Sequence, residues 1–175
     1  MNNTLFHVCD HKITEYLENT TSDTTILIIP FSDPIAEEPE IQTQCTQSLK
    51  NGFTLKELFS TLKKTKYTTT LFFKTYANVI YSYGKEKFIE ECKKIGITGL
   101  IIPDLPYEEK EEFIETCNHF DICLVPIVAS SSLNRISKIA PTASNYIYLT
   151  YRAQDQLEKV INEIKKYTNA YIIKS

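Results

Sequence analysis

The stretch from Thr24 to Pro39, TTILIIPFSDPIAEEP, decides the fold. Its run Thr25–Ile29 consists of β-branched residues and leucine, which is typical of a strand buried on both faces of a parallel sheet. A proline-spaced, acidic loop follows directly. In α/β proteins, the loops at the carboxyl ends of parallel strands hold the functional residues. The stretch therefore predicts an α/β protein whose site lies after its second strand.

Composition argues against a nucleic-acid-binding or membrane protein. The chain has 175 residues, of which 42% are hydrophobic and 23% charged, with a net charge of −3. This length predicts one domain over residues 1–175, and this charge gives no electrostatic basis for binding nucleic acid or a membrane surface. No apolar run reaches the ~20 residues that cross a bilayer, and the polar start MNNT is not a signal peptide. We therefore expect a cytoplasmic protein.

The five cysteines and three histidines show no site pattern. The cysteines are odd in number and contain no CxxC pair, which is typical of free, mostly buried thiols. The histidines lie far apart, without the spacing of metal ligands. We expect neither a metal nor a cofactor site.

Strand-like and helix-like runs alternate along the chain. The predicted strands are Thr4–Cys9, Thr25–Ile29, Thr69–Lys74, Gly99–Ile102, Ile122–Val128, Tyr146–Thr150 and Ala170–Ile173. The predicted helices are Lys12–Asn19, Ile41–Lys50, Leu55–Lys64, Lys85–Lys94, Glu108–His119, Leu133–Ile139 and Gln156–Tyr167. This alternation predicts a parallel sheet, either doubly wound or closed into a (β/α) barrel. Because the pattern stops on a strand, a barrel would hold about seven strands and lack its last β/α unit.

Polar residues after the predicted strands are the candidates for chemistry. A carboxylate there could act as general acid or base, with Tyr76 or Tyr148 as a hydrogen-bond donor. Alternatively, Asp33 and Asp104 cap turns beside prolines. Lys74 could contact an anion, although we expect it to be solvated. No glycine lies where a phosphate cradle needs one.

Four blocks of the sequence resemble the α subunit of tryptophan synthase. They are PFSDPIAEEPEIQ, YANVIYSYG, LIIPDLPYEE and NYIYLTYR, in the family's order and nearly its spacing. The resemblance implies a TIM barrel that cleaves indole-3-glycerol phosphate to indole and glyceraldehyde 3-phosphate by a retro-aldol reaction. It also implies a β subunit as the partner. Pyridoxal phosphate is expected only in that partner, and no cofactor in this chain.

Departures from the family fall on its catalytic positions. The acid–base glutamate, four residues before the proline of PFSDP, is replaced by Ile26. The aspartate that holds the indole nitrogen corresponds to Glu37, our catalytic candidate. Lys74 occupies a pocket position that is apolar in the family, and Tyr76 and Tyr148 complete the predicted substrate pocket. The mobile loop after Arg152 is shortened and lacks glycine, and the phosphate-binding loops are expected to be absent.

The surface that faces the β subunit in the family is better kept. The resemblance assigns to it Phe31, Ser32, Asp33, Pro34, Asn78 and Pro106. We therefore favour a relative with lost or impaired catalysis that still binds the β subunit. Two alternatives stay open: a weak, partner-dependent indole-glycerol phosphate lyase, and a remnant without a function.

Overall fold

Strands and helices alternate in a computed structural model that describes residues 4–131, 133–151 and 157–175. The strands are β1 (Thr4–Val8), β2 (Thr24–Ile28), β3 (Thr70–Lys74), β4 (Ile97–Ile101), β5 (Cys123–Leu124), β6 (Ile127–Ala129), β7 (Tyr146–Thr150) and β8 (Tyr171–Lys174). The helices are α1 (Ile13–Asn19), α2 (Pro39–Lys50), α3 (Leu55–Leu62), α4 (Ala77–Tyr83), α5 (Lys85–Lys94), α6 (Glu111–His119), α7 (Ile136–Ile139) and α8 (Leu157–Lys165). Short 3-10 segments precede α6 and flank α7.

All strand pairs among the described residues are parallel and follow chain order. One sheet has the order β1-β2-β3-β4-β5, and a second has the order β6-β7-β8. The two sheets are continuous across the Val125–Pro126 junction, where the Val125 amide donates to the Leu100 carbonyl and the Tyr148 amide donates to the Pro126 carbonyl, both at 2.9 Å. Within the described residues no ladder joins β1 to β8, so the barrel is not fully closed.

Side chains alternate between the barrel interior and the helix layer, as the period of a strand requires. On β2, Ile26 belongs to the interior cluster, whereas Leu27 packs with the helices. On β3, Phe72 points inward and Phe73 outward by the same rule. The interior is filled by buried apolar side chains from successive strands, namely Ile26, Phe72, Ile101, Val125, Tyr148 and Ile173.

The predicted elements are largely confirmed, with three main differences. The predicted helix Leu133–Ile139 is a 3-10 turn, Leu133–Arg135, followed by the 4 residues of α7. The predicted fifth strand, Ile122–Val128, is interrupted, because Pro126 has no N–H with which to continue the ladder. Helix α4 was not predicted; its short sequence, ANVIYSY, has too few turns to show a helical period. Helix α3 begins with an N-cap, since the Thr54 hydroxyl accepts a hydrogen bond from the Glu57 amide at 3.2 Å.

The described residues contain no helix that is long and apolar enough to span a membrane. All five cysteines are free; Cys123 is half-buried and the other four are buried.

Gly99 lies where neighbouring strands approach each other closely. It pairs with Phe72 on one side and Cys123 on the other. A Cβ at this position would lie 2.7 Å from the Cys123 carbonyl oxygen and 3.1 Å from the Phe72 ring. Because a backbone atom cannot move aside cheaply, the space at residue 99 admits only glycine.

We predict that Gly99→Ala lowers the free energy of unfolding by about 1–3 kcal/mol through overpacking. Urea unfolding followed by circular dichroism measures the loss. Thr98→Ala, at the next and less buried position of β4, is the matched control and should change stability less. Equal stability of Gly99→Ala and the unsubstituted chain would contradict the register of β4 between β3 and β5.

Candidate functional site

A buried ion pair lies at the carboxyl end of the barrel interior. Lys74, the last residue of β3, is on the same face of its strand as Phe72 and therefore points inward. Its Nζ lies 2.8 Å from Oε1 and 2.9 Å from Oε2 of Glu37, in the loop after β2. The side chains are only 8% and 5% exposed. The expectation that Lys74 is solvated was therefore wrong: a carboxylate inside the barrel holds it.

Tyr148 forms the other side of this site. Its ring centroid lies 5.4 Å from the Lys74 ammonium, which is within the range of a cation–π interaction. Burial, followed by the negative charge of Glu37, raises the pKa of the Tyr148 phenol. Its hydroxyl is buried without a hydrogen-bond partner among the described residues. We call Glu37, Lys74 and Tyr148 the mouth cluster.

Ile26 lies beneath the mouth cluster in the apolar interior. It is fully buried and packs in one cluster with Phe72, Ile101 and Tyr148. Its register partners are Phe6 on β1 and Phe72 on β3. An alkyl side chain cannot accept or donate a proton, so position 26 contributes only packing.

Tyr76 is turned toward the loop after β2 rather than toward the mouth cluster. Its hydroxyl accepts a hydrogen bond from the Ala36 amide at 2.9 Å, and its ring stacks on Phe31 with centroids 4.9 Å apart. Burial, with a smaller effect from the Glu37 charge, raises the pKa of Tyr76 to about 12. The Gln42 side chain donates to the Glu37 carbonyl at 2.8 Å and fixes the end of the same loop. Tyr76 therefore positions this loop.

Hydrogen bonds from the Ala77 amide to Asp104 connect the segment after β3 to the loop after β4. Both carboxylate oxygens of Asp104 accept from the Ala77 amide, at 2.9 and 3.2 Å, at the first turn of α4. This cap satisfies an amide that a helix start leaves unpaired. The alternative interpretation had Asp104 capping a turn beside prolines, whereas its carboxylate binds the first amide of α4. The loops after β2, β3 and β4 are joined in series by these contacts.

The predicted partner residues occupy this connected region with different exposure. Ser32, Asp33, Asn78 and Pro106 are exposed, Phe31 is half-buried on Tyr76, and Pro34 is buried. Sequence reasoning missed Ile35, whose side chain is 77% exposed beside Asp33. Its large apolar side chain within a polar loop was the available signal. We call Ser32, Asp33, Ile35, Asn78 and Pro106 the rim.

His7 is not part of the mouth cluster. His7 is half-buried, stacks on Tyr16 with centroids 4.0 Å apart, and lies 3.6 Å from Asp10. Burial lowers the pKa of its imidazole, and the nearby Asp10 opposes that shift. Arg152 and the shortened loop after it fall outside the described residues. Those that are described contain no cluster of metal-ligating side chains.

Comparison with known proteins assigns the family. Residues 8–173 match the family model described as tryptophan synthase alpha chain. The chain belongs to the tryptophan synthase alpha chain family. Curated alpha chains from Thermoanaerobacter sp. (strain X514) and Lacticaseibacillus casei are 34% and 33% identical to it. The matches cover 87% and 85% of this chain but only 63% and 60% of the relatives. The chain thus spans about three fifths of their length.

Solved alpha subunits have the same fold. The subunit from Campylobacter jejuni superposes with a TM-score of 0.87 at 28% identity, over 98% of this chain and 76% of that one. An alpha chain in the tryptophan synthase complex from Pyrococcus furiosus gives a TM-score of 0.90 at 26% identity, over the same shares of the two chains. The architecture of a tryptophan synthase alpha TIM barrel, not fully closed in this chain, is therefore confirmed.

From the burial of this ion pair we predict that substitutions of Lys74 and Glu37 have strongly non-additive effects on the free energy of unfolding. Removing either charge leaves the other buried without a partner, so Lys74→Met and Glu37→Met should each cost about 3–5 kcal/mol of unfolding free energy. The double variant Lys74→Met/Glu37→Met should recover most of that loss, because no buried charge remains. Urea unfolding of all variants completes a double-mutant cycle.

The exposed pair Lys93–Asp121 is the matched control. Its atoms are 3.1 Å apart, but the side chains are 50% and 84% exposed. Lys93→Met and Asp121→Asn should hardly alter stability, because solvent screens an exposed pair and asparagine tolerates the positive φ of 53° at position 121. Additive effects at Lys74 and Glu37, of the same size as in the control pair, would show that the mouth cluster is not buried.

Proposed function

We propose that this chain is a cytoplasmic member of the tryptophan synthase alpha chain family with lost or impaired cleavage activity. We further propose that it binds a tryptophan synthase beta subunit through the rim. Indole-3-glycerol phosphate is its substrate only if residual activity remains. No cofactor of its own is needed, and pyridoxal phosphate belongs to the beta subunit.

The mouth cluster carries the first part of this proposal. Glu37, at the family's aspartate position, is bound to a lysine where the family has an apolar residue. An indole ring placed there would have to displace the Lys74 ammonium from its only carboxylate partner in the described part of the chain. Separating a buried pair is costly, because each charge is then left without compensation. The cluster is thus better suited to filling the barrel mouth than to receiving a substrate.

Ile26 also supports lost or impaired cleavage, because the reaction requires a proton-transfer group at its position. The retro-aldol reaction of the family needs a group that moves a proton, and its position is held here by an alkyl side chain packed against Phe72. Loss of one positioned proton-transfer group typically costs 10²–10⁴-fold in rate. The neighbours of Ile26 on the adjoining strands, Phe6 and Phe72, carry no ionisable group that could replace it.

The rim supports the proposed binding of a beta subunit. Its exposed side chains combine the negative charge of Asp33, the apolar side chain of Ile35 and the amide of Asn78. The bonds from Ala36 to Tyr76 and from Ala77 to Asp104 hold its loops before any partner arrives. A preorganised surface loses little conformational entropy on binding. This chain is similar to a solved structure from Pyrococcus furiosus that concerns the mutual activation of the tryptophan synthase a2b2 complex.

One observation favours the weak lyase as the alternative. Glu37 still places a carboxylate inside the barrel, close enough to Tyr148 for its charge to raise the pKa of that phenol. In a complex with the beta subunit, a shift of the loop after β2 could free this carboxylate for proton transfer. The alternative differs from the proposal in one measurable quantity, the release of indole.

The deciding experiment follows indole release and the beta reaction together. We predict no indole from indole-3-glycerol phosphate above background, with or without the cognate beta subunit, and a faster beta reaction in the presence of this chain. Indole release would establish the weak lyase. No effect on either reaction, together with a noncooperative thermal melt, would establish a remnant.

Variants of the rim separate binding from folding. Asp33→Ala/Ile35→Ser should raise the concentration needed for half-maximal activation about tenfold or more, because central interface side chains carry most of the binding energy. Asp121→Asn removes the charge of an exposed aspartate away from the rim, keeps a residue that tolerates the positive φ of 53° there, and should leave activation unchanged. Equal activation by both variants would contradict the assignment of the rim as the interface.

A further inference from the structure

A cavity of about 240 Å³ is bounded by α6, α7 and the interrupted fifth strand, separate from the mouth cluster. It opens between α6 and α7, over the interrupted fifth strand. Helix α7 has only 4 residues, so it leaves part of the sheet uncovered. None of the mouth-cluster residues lines it. The cavity is larger than the roughly 150 Å³ that suffices for benzene in an apolar protein interior.

Its lining combines aliphatic side chains with polar ones, including Asn118, Thr142 and Ser144, and with one cation. Ile114, Leu124, Ile127 and Ile139 provide aliphatic surface. Lys110 is the only charged side chain among the described residues that line it. Aliphatic surface with a few polar groups and one charge that converge on it is a common composition of a site for a small organic molecule.

The ammonium of Lys110 is available to an anionic ligand. It lies 3.7 Å from the centroid of the Tyr107 ring, and no carboxylate of the described ranges forms an ion pair with it. Lys138 also lies over this ring, at 4.9 Å, but it is held by Glu108 at 3.1 Å. Arg135 neutralises the same carboxylate at 3.0 Å, so Glu108 does not repel an anion strongly.

We propose that this cavity binds a small aryl or alkyl carboxylate. The apolar part of the ligand packs against Ile114, Leu124 and Ile127, and its carboxylate pairs with Lys110 beside Tyr107. This site is independent of the proposed function, since it shares no residue with the mouth cluster or the rim.

Cys123 provides a reporter inside the cavity. It lines the cavity and is half-buried, whereas the four other cysteines are buried. Its Sγ lies 3.5 Å from the Ser144 hydroxyl, and burial raises the pKa of the thiol. A bound ligand blocks access to this thiol, so alkylation at one fixed alkaline pH, quantified by mass spectrometry at this residue, reports whether the cavity is occupied.

The test uses the full chain with 3-phenylpropanoate and its neutral analogue 3-phenylpropanamide. We predict that saturating 3-phenylpropanoate slows alkylation of Cys123 several-fold and that the amide protects only at higher concentration. Lys110→Met should weaken protection by the carboxylate about tenfold, because a charge-assisted hydrogen bond is lost, and should leave the amide unaffected.

Lys87→Met is the matched control. The Lys87 ammonium also lies over a tyrosine ring, 5.0 Å from the centroid of Tyr83, but it does not line the cavity. This variant should bind both probes as the unsubstituted chain does. Absence of protection by either probe would overturn the proposal. So would equal affinities for the acid and the amide, or equal losses in Lys110→Met and Lys87→Met.

Discussion

The buried ion pair between Lys74 and Glu37 is the interaction on which the carboxyl end of the barrel depends. Two opposite charges, both almost fully excluded from water, are stable there only together. Glu37 ends the loop after β2, and Lys74 ends β3, so the pair fixes the loop to the neighbouring strand. Tyr148 on β7 lies over the ammonium and closes the group from the opposite wall.

Hydrogen bonds connect the loop that carries Glu37 to the segments after β3 and β4, one after another. The loop after β2 is held at Ala36 by Tyr76, which begins the segment after β3. That segment is in turn held at Ala77 by Asp104, after β4. The same contacts leave Asp33, Ile35 and Asn78 on the outside. The same set of contacts therefore fills the barrel mouth with a buried ion pair and fixes the loops of the rim outside it. For this reason we propose impaired cleavage together with retained partner binding.

Much of the fold could be predicted from the sequence, because buried parallel strands appear as short runs of isoleucine, leucine and phenylalanine. The break at Pro126 and the short helix α4 were missed, since neither changes the apolar pattern over a long enough segment. The burial of Lys74 was also missed: a lysine at a strand end is usually solvated, and Glu37 is far from it in sequence. The two-residue period of a strand did indicate that Lys74 points inward, because it places Lys74 on the same face of β3 as Phe72. The identity of its partner depends on the path of the loop, which no local pattern specifies.

The most direct test of the buried pair is the reactivity of Lys74 toward reductive methylation, measured residue by residue with mass spectrometry. A lysine that is ion-paired and 8% exposed should react at least about tenfold more slowly than Lys93, which is 50% exposed. Glu37→Gln should raise the rate at Lys74 without changing the rate at Lys93. Equal rates at the two lysines in the unsubstituted chain would show an open, solvated barrel mouth and would contradict a barrel closed by the Lys74–Glu37 pair.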